Sequence, residues 1–367
     1  MWKTTEGSTG RLIQFCLGYF IFYVITGVTV KYFTGPAAGG FPGMQDAEFL
    51  VYSTFGGSII CLLVVFARGW YRTQTEPRME FAGVRFPSAY LYIFPSGFCT
   101  AVIIPTTTMM YMLPISVMVA MVIMRASVIV IGRIVDGIQI RQGILKKKVY
   151  QEENTAAIFA ITAAGIQIFF VKPGDFDFLH APVAMTILGS YLTAYMFRIY
   201  IMNYFKNTRP KGAPQNNEWF FAIEQIAASV SMALIALPVF FAPELFGRTH
   251  AQIELFRGAI FQPLPGWPSA VLAGTAFGGV AFFSVFIFMF KGRTATFANL
   301  VNRLTSLVAG TAATLLFALM YGGKLPKIQD WISLLYIVIA VVYLAIAERR
   351  RVAELAAAQE LNSGAPK

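Results

Sequence analysis

The chain has 367 residues, 57% of them hydrophobic and only 13% charged, about half the charge of a soluble globular domain, which carries about 25%. Uncharged windows long enough to cross a bilayer recur along the whole length. They leave no room for a soluble domain of useful size and point to a polytopic all-α membrane protein. A net charge of +11 would suggest nucleic acid in a soluble protein; here the cations gather in alternate loops, where they orient the chain in the membrane, so no nucleic-acid partner is implied.

In chain order, hydropathy predicts ten helical spans, at 11–32, 48–67, 87–108, 111–132, 154–172, 181–204, 218–241, 267–290, 294–318 and 328–347. The N-terminus lacks a short-core signal peptide, so the first span is expected to stay as an anchor. Lys31 at its outer end is expected to snorkel to the interface. The loop at 34–45, with TGPAAGGFPG, is a Gly/Pro turn region. Spans 3 and 4 are expected to join at Met110 and Tyr111, and spans 8 and 9 through 291–293 alone, so each pair forms a tight antiparallel hairpin. The stretch 251–262, AQIELFRGAIFQ, is amphipathic and suits the outer interface. Trp219, Trp267 and Trp331 fall at span edges as belt residues. The tail after Ala347 is expected to continue as a short helix, fray, and serve mainly to orient the chain.

With an even number of spans both termini share a side. That side would carry 20 Lys and Arg against six on the other, with Arg125, Arg198 and Arg303 within spans, so both termini are expected in the cytoplasm. A bacterial inner membrane and a eukaryotic endomembrane both remain open. Cys16, Cys61 and Cys99 lie within spans without metal or redox spacing and read as small apolar side chains.

A repeat underlies the ten spans. In ISVMVAMVIMRASVIVIG, Ser116 stands nine residues before Arg125 and Gly132 seven after; in TATFANLVNRLTSLVAG, Thr294 stands nine before Arg303 and Gly310 seven after. Five spans per half, an odd number, would insert the second half in the opposite direction. The expected organisation is therefore an inverted-topology repeat of residues 1–173 and 174–347, followed by a cytoplasmic tail at 348–367, with a site where the halves meet near mid-membrane.

An arginine about ten residues into a span costs roughly 2.5 kcal/mol or more unless it meets water, a partner or a ligand. Arg303 shares a helix face with Asn299, Ser306 and Gly310, with Asn302 beside it. A guanidinium stays charged and forks onto carboxylate or phosphate, so Arg303 and Arg125 together suit a small organic anion oriented by Asn302, Asn299 and Ser306. The alternative for each arginine is an internal salt bridge or a bond to backbone carbonyls of a neighbouring helix. Glu224, the only carboxylate deep in a predicted span, sits at the depth of Arg198. It is either that arginine's structural partner or a proton-coupling group. Tyr195, with Tyr191 and Tyr204, can stack on a base or sugar or simply pack, and Met118, Met121 and Met124 can mould to an apolar ligand or fill core. The two histidines, His180 and His250, and the Asp175 and Asp177 pair lie in outer loops, and no H-E-x-x-H or Walker A pattern occurs. No cofactor, no metal and no enzyme activity is expected.

The turn KGRT followed by NRLTSLVAG resembles the span-9 motif GALNK followed by LPIALAG in nucleotide-sugar transporters of the drug/metabolite transporter superfamily. Asn302 and Arg303 stand at its Asn-Lys pair, with Arg in place of Lys, and Gly310 at its glycine. LPISVMVAMVIMRASVIVIGR is similar to a Ser, then Met-Leu-Arg-Gly, pattern in several branches of the superfamily. The resemblance implies a ten-helix secondary-active transporter working by alternating access, with Asn302 and Arg303 touching an anionic, phosphorylated or nucleotide-sugar solute. A proton-coupled exporter of amino acids, amines or drugs is the alternative, with Glu224 carrying the coupling; a non-transporting scaffold or intramembrane enzyme is a third. The implied partners are the solute, the lipid bilayer and, at most, a second copy in a homodimer.

Overall fold

The computed structural model describes residues 8–72, 78–81, 83–113, 117–145, 149–169, 180–208, 216–247, 250–290, 295–322 and 325–363. Apart from one hairpin, β1 (Arg78–Phe81) antiparallel to β2 (Val84–Pro87), the described chain is helical. The long helices are α1 (Thr9–Phe33), α2 (Asp46–Ala67), α3 (Tyr90–Met112), α4 (Val117–Arg141), α5 (Gln151–Phe169), α6 (Pro182–Asn207), α7 (Asn217–Phe240), α10 (Trp267–Phe288), α11 (Ala295–Tyr321) and α12 (Ile328–Ser363). Between α7 and α10 lie α8 (Ala242–Phe246) and α9 (Ala251–Phe261). The starts follow local chemistry. The Ser8 hydroxyl accepts from the Arg11 N–H, Gln45 and Glu48 form a capping box ahead of α2, and prolines open α6 and α10, where the missing N–H costs nothing.

Among the described residues, seven helices, α1, α2, α3, α7, α10, α11 and α12, contain stretches long and apolar enough to cross a membrane. Their outward faces are greasy. Ile13, Leu17, Ile21 and Ile25, one helical stripe of α1, are 42–63% exposed, while Leu12, Tyr19, Tyr23 and Val30 on the other face are buried. An exposed apolar stripe of this kind is unfavourable in water and suits a lipid environment, so the molecule is an integral, multi-pass membrane protein. Helices α4, α5 and α6 are less apolar: α4 carries Arg125, Arg133 and Asp136, α5 opens Gln-Glu-Glu, and α6 holds Tyr191, Tyr195, Arg198 and Asn203.

Helix pairing is regular. α1 packs on α10 and α11, and α6 packs on α3 and α4. α2 lies on α10 and α7 on α3, while α4 crosses α11 and α5 crosses α12. The α2–α10 contact is as close as backbones allow. A Cβ on Gly274 would meet the Ser53 backbone, one on Gly56 the Val271 carbonyl, and one on Gly278 the Gly57 carbonyl at 2.7 Å. Small residues serve this purpose in membranes, where van der Waals contact replaces the hydrophobic drive.

Several sequence expectations are corrected. The joint between the third and fourth helices follows Met112, so Tyr111 still belongs to α3. Helix α4 continues past 132 to Arg141 because its polar residues find partners: Gln139 Nε2 donates to the Tyr200 carbonyl at 3.0 Å and Asn203 Nδ2 donates to Gln139 Oε1 at 2.5 Å. Trp219 is no belt residue. It is fully buried with its ring stacked 5.8 Å from that of Tyr90, whereas Trp267 and Trp331 are exposed as expected. The tail continues as a helix, as expected, and is also held against the bundle. α12 runs to Ser363, and Arg351 Nη2 meets Glu153 Oε1 at 2.6 Å with both side chains buried. Arg350 reaches Glu152 at 3.0 Å, and the Tyr150 hydroxyl donates to Glu354 at 2.7 Å. The acidic start of α5 thus holds the basic stretch of the tail. Helix α9 confirms the amphipathic stretch and rests on α2, where Tyr52 donates to the Ala259 carbonyl at 2.9 Å. The boundary expected at residue 173 lies outside the described residues, as do Ser116, Thr294, Asp175, Asp177 and the side chain of Met118.

Candidate functional site

Two buried guanidinium groups meet five tyrosines in the interior. Arg303, on α11, has no exposed surface. Its guanidinium carbon lies 4.5 Å from the centroid of the Tyr195 ring and 5.5 Å from that of Phe288, within cation–π range. Its Nε and Nη2 have no hydrogen-bond partner. Arg125, on α4, is 3% exposed. Its Nη1 donates to the Tyr191 hydroxyl at 2.9 Å, and its Nη2 donates to the Tyr23 hydroxyl and, at 3.4 Å, to that of Tyr111. Its Nε is unpartnered. The Tyr23 and Tyr111 hydroxyls share a 2.7 Å hydrogen bond. Tyr191 and Tyr195 stand one turn apart on α6, ring centroids 4.6 Å from each other, so one end of the pair holds Arg125 and the other faces Arg303.

Helices α1, α3, α4, α6 and α11 converge here for a local reason. Tyr19, Tyr23 and Thr26 on α1 and Tyr191 and Tyr195 on α6 recur every three or four residues, which aligns them on one face. Arg125 and Arg303 occupy the facing sides of the crossing helices α4 and α11. Neither arginine meets a carboxylate among the described residues, nor does either bond a backbone carbonyl. Phenol hydroxyls and ring faces take the places where a salt bridge or a carbonyl was the alternative.

The remaining predicted residues divide. Asn302 is buried, but its amide is engaged sideways: Oδ1 accepts from Tyr19 at 3.3 Å and Nδ2 donates to Ser284 at 3.2 Å. The Ser306 hydroxyl donates to the Arg303 carbonyl at 2.8 Å and so stays on its own helix. The Asn299 side chain lies outside the described residues. Tyr195 is at the site. Glu224 and Arg198 form a separate unit. Arg198 Nε and Nη2 donate to Glu224 Oε1 and Oε2, each at 2.9 Å, and Ser96 donates to Oε1 at 2.5 Å, with Glu224 wholly buried. Among the described residues no group of three His, Cys, Asp or Glu side chains could hold a metal ion.

No protein-family model matches the chain, and no curated protein does. A solved structure does. It is described only as "Crystal structure of protein", and it superposes at TM-score 0.55 with 15% identity, covering 94% of this chain and 100% of that one. The likeness is one of fold and extends over nearly the whole molecule.

Sequence reasoning missed Tyr19, Tyr23 and Tyr111. The first two stand four residues apart in the first span, a spacing visible in the sequence. Tyr111 was obscured by placing the turn at Met110 and Tyr111, before the end of α3 at Met112. Lys31 departs from its expected role: its Nζ donates to Thr314 Oγ1 at 3.2 Å and lies 5.8 Å from the Phe317 ring centroid, turned towards α11.

Proposed function

We propose that the chain is a secondary-active transporter of a small organic anion, with ten membrane-crossing helices in two inverted five-helix halves, of the drug/metabolite transporter kind. The observation that carries this reading is the pair of buried guanidiniums at Arg125 and Arg303, free of any carboxylate among the described residues and holding three N–H-bearing nitrogens without acceptors. A buried charge left so is expensive. A carboxylate or phosphate entering between the two would supply countercharge and acceptors at once.

The pairing of helices supports the repeat. Exchanging α1 through α5 with α6, α7, α10, α11 and α12 in order turns α1–α10 into α6–α3, α2–α10 into α7–α3 and α1–α11 into α6–α4, and leaves α4–α11 and α5–α12 in place. Every one of these contacts exists. Of the three less apolar helices, α4 and α6 carry polar side chains that line the interior and α5 opens on the carboxylates that hold the tail, which agrees with their crossing the membrane as part of the bundle. Such halves move as rigid bodies about a shared site. The site is shut in this structure, so a solute would enter when the halves part on one side, exchange with the tyrosine hydroxyls for Arg125, and leave when they part on the other.

The reading of Glu224 as a coupling carboxylate has less support, since both its oxygens are held by Arg198. The test begins with thermal-shift measurements of the purified protein against nucleotide-sugars, sugar phosphates, carboxylates, amino acids and amines. An anion at 100 times its Kd adds about 2.7 kcal/mol of stability. That anion should then accumulate in proteoliposomes, and Arg303→Ala, inserted and monodisperse, should abolish both the shift and the uptake. Undiminished uptake, or stabilisation by amines alone, overturns the proposal.

A further inference from the structure

A cavity of about 20 Å³, room for roughly one water, lies between α1, α4 and α11 on the Lys31 side of the arginine site. Its walls include Lys31, Thr26, Thr314 and Gly310, and its inner end is formed by Tyr23 and Tyr111, the two hydroxyls that accept from Arg125 Nη2. Thr26 is 4% exposed, and its hydroxyl, on the cavity wall, has no partner. Around the cavity the helices meet through small residues. A Cβ on Gly27 would fall 2.8 Å from that of Ala313, and one on Gly310 would fall 2.8 Å from the Met121 sulfur.

We infer that this seam between α1, α4 and α11 is the passage by which an anion reaches Arg125 from the Lys31 end, with Lys31 as its recruiting cation. The inference rests on the transport reading above. Lys31 has an apolar stem long enough to reach the interface, yet its ammonium is turned inward to Thr314 and the Phe317 ring. Two cations, Lys31 and Arg125, therefore bound the two ends of one small gap. A low-dielectric passage lined by one sign of charge concentrates the opposite sign. An anion drawn to Lys31 would find Thr26 and Thr314 along the wall, then displace the Tyr23 and Tyr111 hydroxyls at Arg125.

The test needs no knowledge of the solute. Thr314→Cys, purified in detergent, is reacted with an anionic sulfonate and a cationic trimethylammonium methanethiosulfonate, each rate normalised to a free thiol and corrected for the unsubstituted chain. The anionic reagent should react about tenfold faster, and Lys31→Gln should bring the ratio near one. Thr26→Cys reports on the same cavity if Thr314→Cys does not fold, and Ala38→Cys, in the exposed turn beyond α1, shows that the reagents are active. No reaction at either position while Ala38→Cys reacts, or a charge preference indifferent to Lys31→Gln, overturns the inference. If Arg303→Ala nevertheless abolishes anion uptake, the passage alone falls. If the reagents behave as expected and Arg303→Ala transports normally, the solute assignment falls and the passage stands.

Discussion

The interior holds buried arginines in two settings, and the contrast separates structural from working charge. Arg198 lies against Glu224 through two hydrogen bonds of 2.9 Å, with Ser96 closing one carboxylate oxygen. Arg125 and Arg303, as deeply buried, have hydroxyls, ring faces and three unpartnered nitrogens. The chain is thus able to place a carboxylate on a buried guanidinium and does so in one of these two settings, as it does again between Arg351 and Glu153. In the other no carboxylate stands among the described residues, and on the proposed reading the solute supplies the countercharge. A buried ion pair costs folding energy when one partner alone is removed, while a buried charge without a countercharge already lowers stability.

The largest effect should come from breaking the closed pair. Glu224→Ala leaves Arg198 buried and uncompensated and should cost about 3–5 kcal/mol, read as a sharp fall in Tm and in recovered folded protein. The double variant Arg198→Met/Glu224→Leu should regain most of that loss, because two apolar side chains of similar volume replace the pair without leaving a charge. Arg303→Met should do the opposite of Glu224→Ala, changing stability by no more than about 1 kcal/mol while uptake is lost. A fall in Tm for Arg303→Met as large as that for Glu224→Ala would break the comparison, since Arg303 would then be part of the scaffold.

A smaller effect tests how Arg125 is held. Tyr191→Phe removes a hydroxyl that accepts from a charged donor at 2.9 Å and should cost about 1.5–3 kcal/mol of thermal stability. Tyr200→Phe, on the same helix, removes an exposed hydroxyl that donates to Gln142 at 2.8 Å and should cost a fraction of that. Equal losses would mean that burial does not distinguish the two.

What the sequence revealed and what it hid follow from the range of the forces involved. Membrane class, the long helices and the two arginines were legible because hydropathy, loop charge and an intramembrane guanidinium are local signals. The partner of Glu224 was one of two readings and could be singled out only by depth. The tyrosine cage was not legible, because Tyr19, Tyr23 and Tyr191 would look the same as belt or packing residues; their role depends on which helix faces them. The same holds for Lys31, turned inward by Thr314 on a helix almost three hundred residues away, and for Trp219, buried by Tyr90 rather than set at a membrane edge. Asn302 was read as a ligand contact from a motif, but its bonds run to Tyr19 and Ser284. The tail was read from composition, which cannot show that Glu152 and Glu153 wait across the bundle.

The smallest effect is expected where an ion pair is complete but wet. Glu244 and Arg257 approach to 2.5 Å between α8 and α9, with side chains 52% and 24% exposed. The hydrogen bond from its own backbone N–H, and then those from Arg257, hold the Glu244 carboxyl below its ordinary value of 4.5. A carboxyl so lowered in the folded state adds stability that is fully present above pH 4.5 and fades as the pH falls through the folded value. Water and salt screen the interaction, so Glu244→Gln should leave Tm at pH 7 unchanged and only slightly flatten the decline of Tm in acid. The Glu244 pair is shorter at its nearest contact than the Glu224 pair, 2.5 against 2.9 Å, and differs from it chiefly in exposure. Were Glu244→Gln to lower Tm as far as Glu224→Ala, contact geometry and not burial would set the worth of an ion pair in this protein, and the distinction between its closed and open arginines would lose its physical basis.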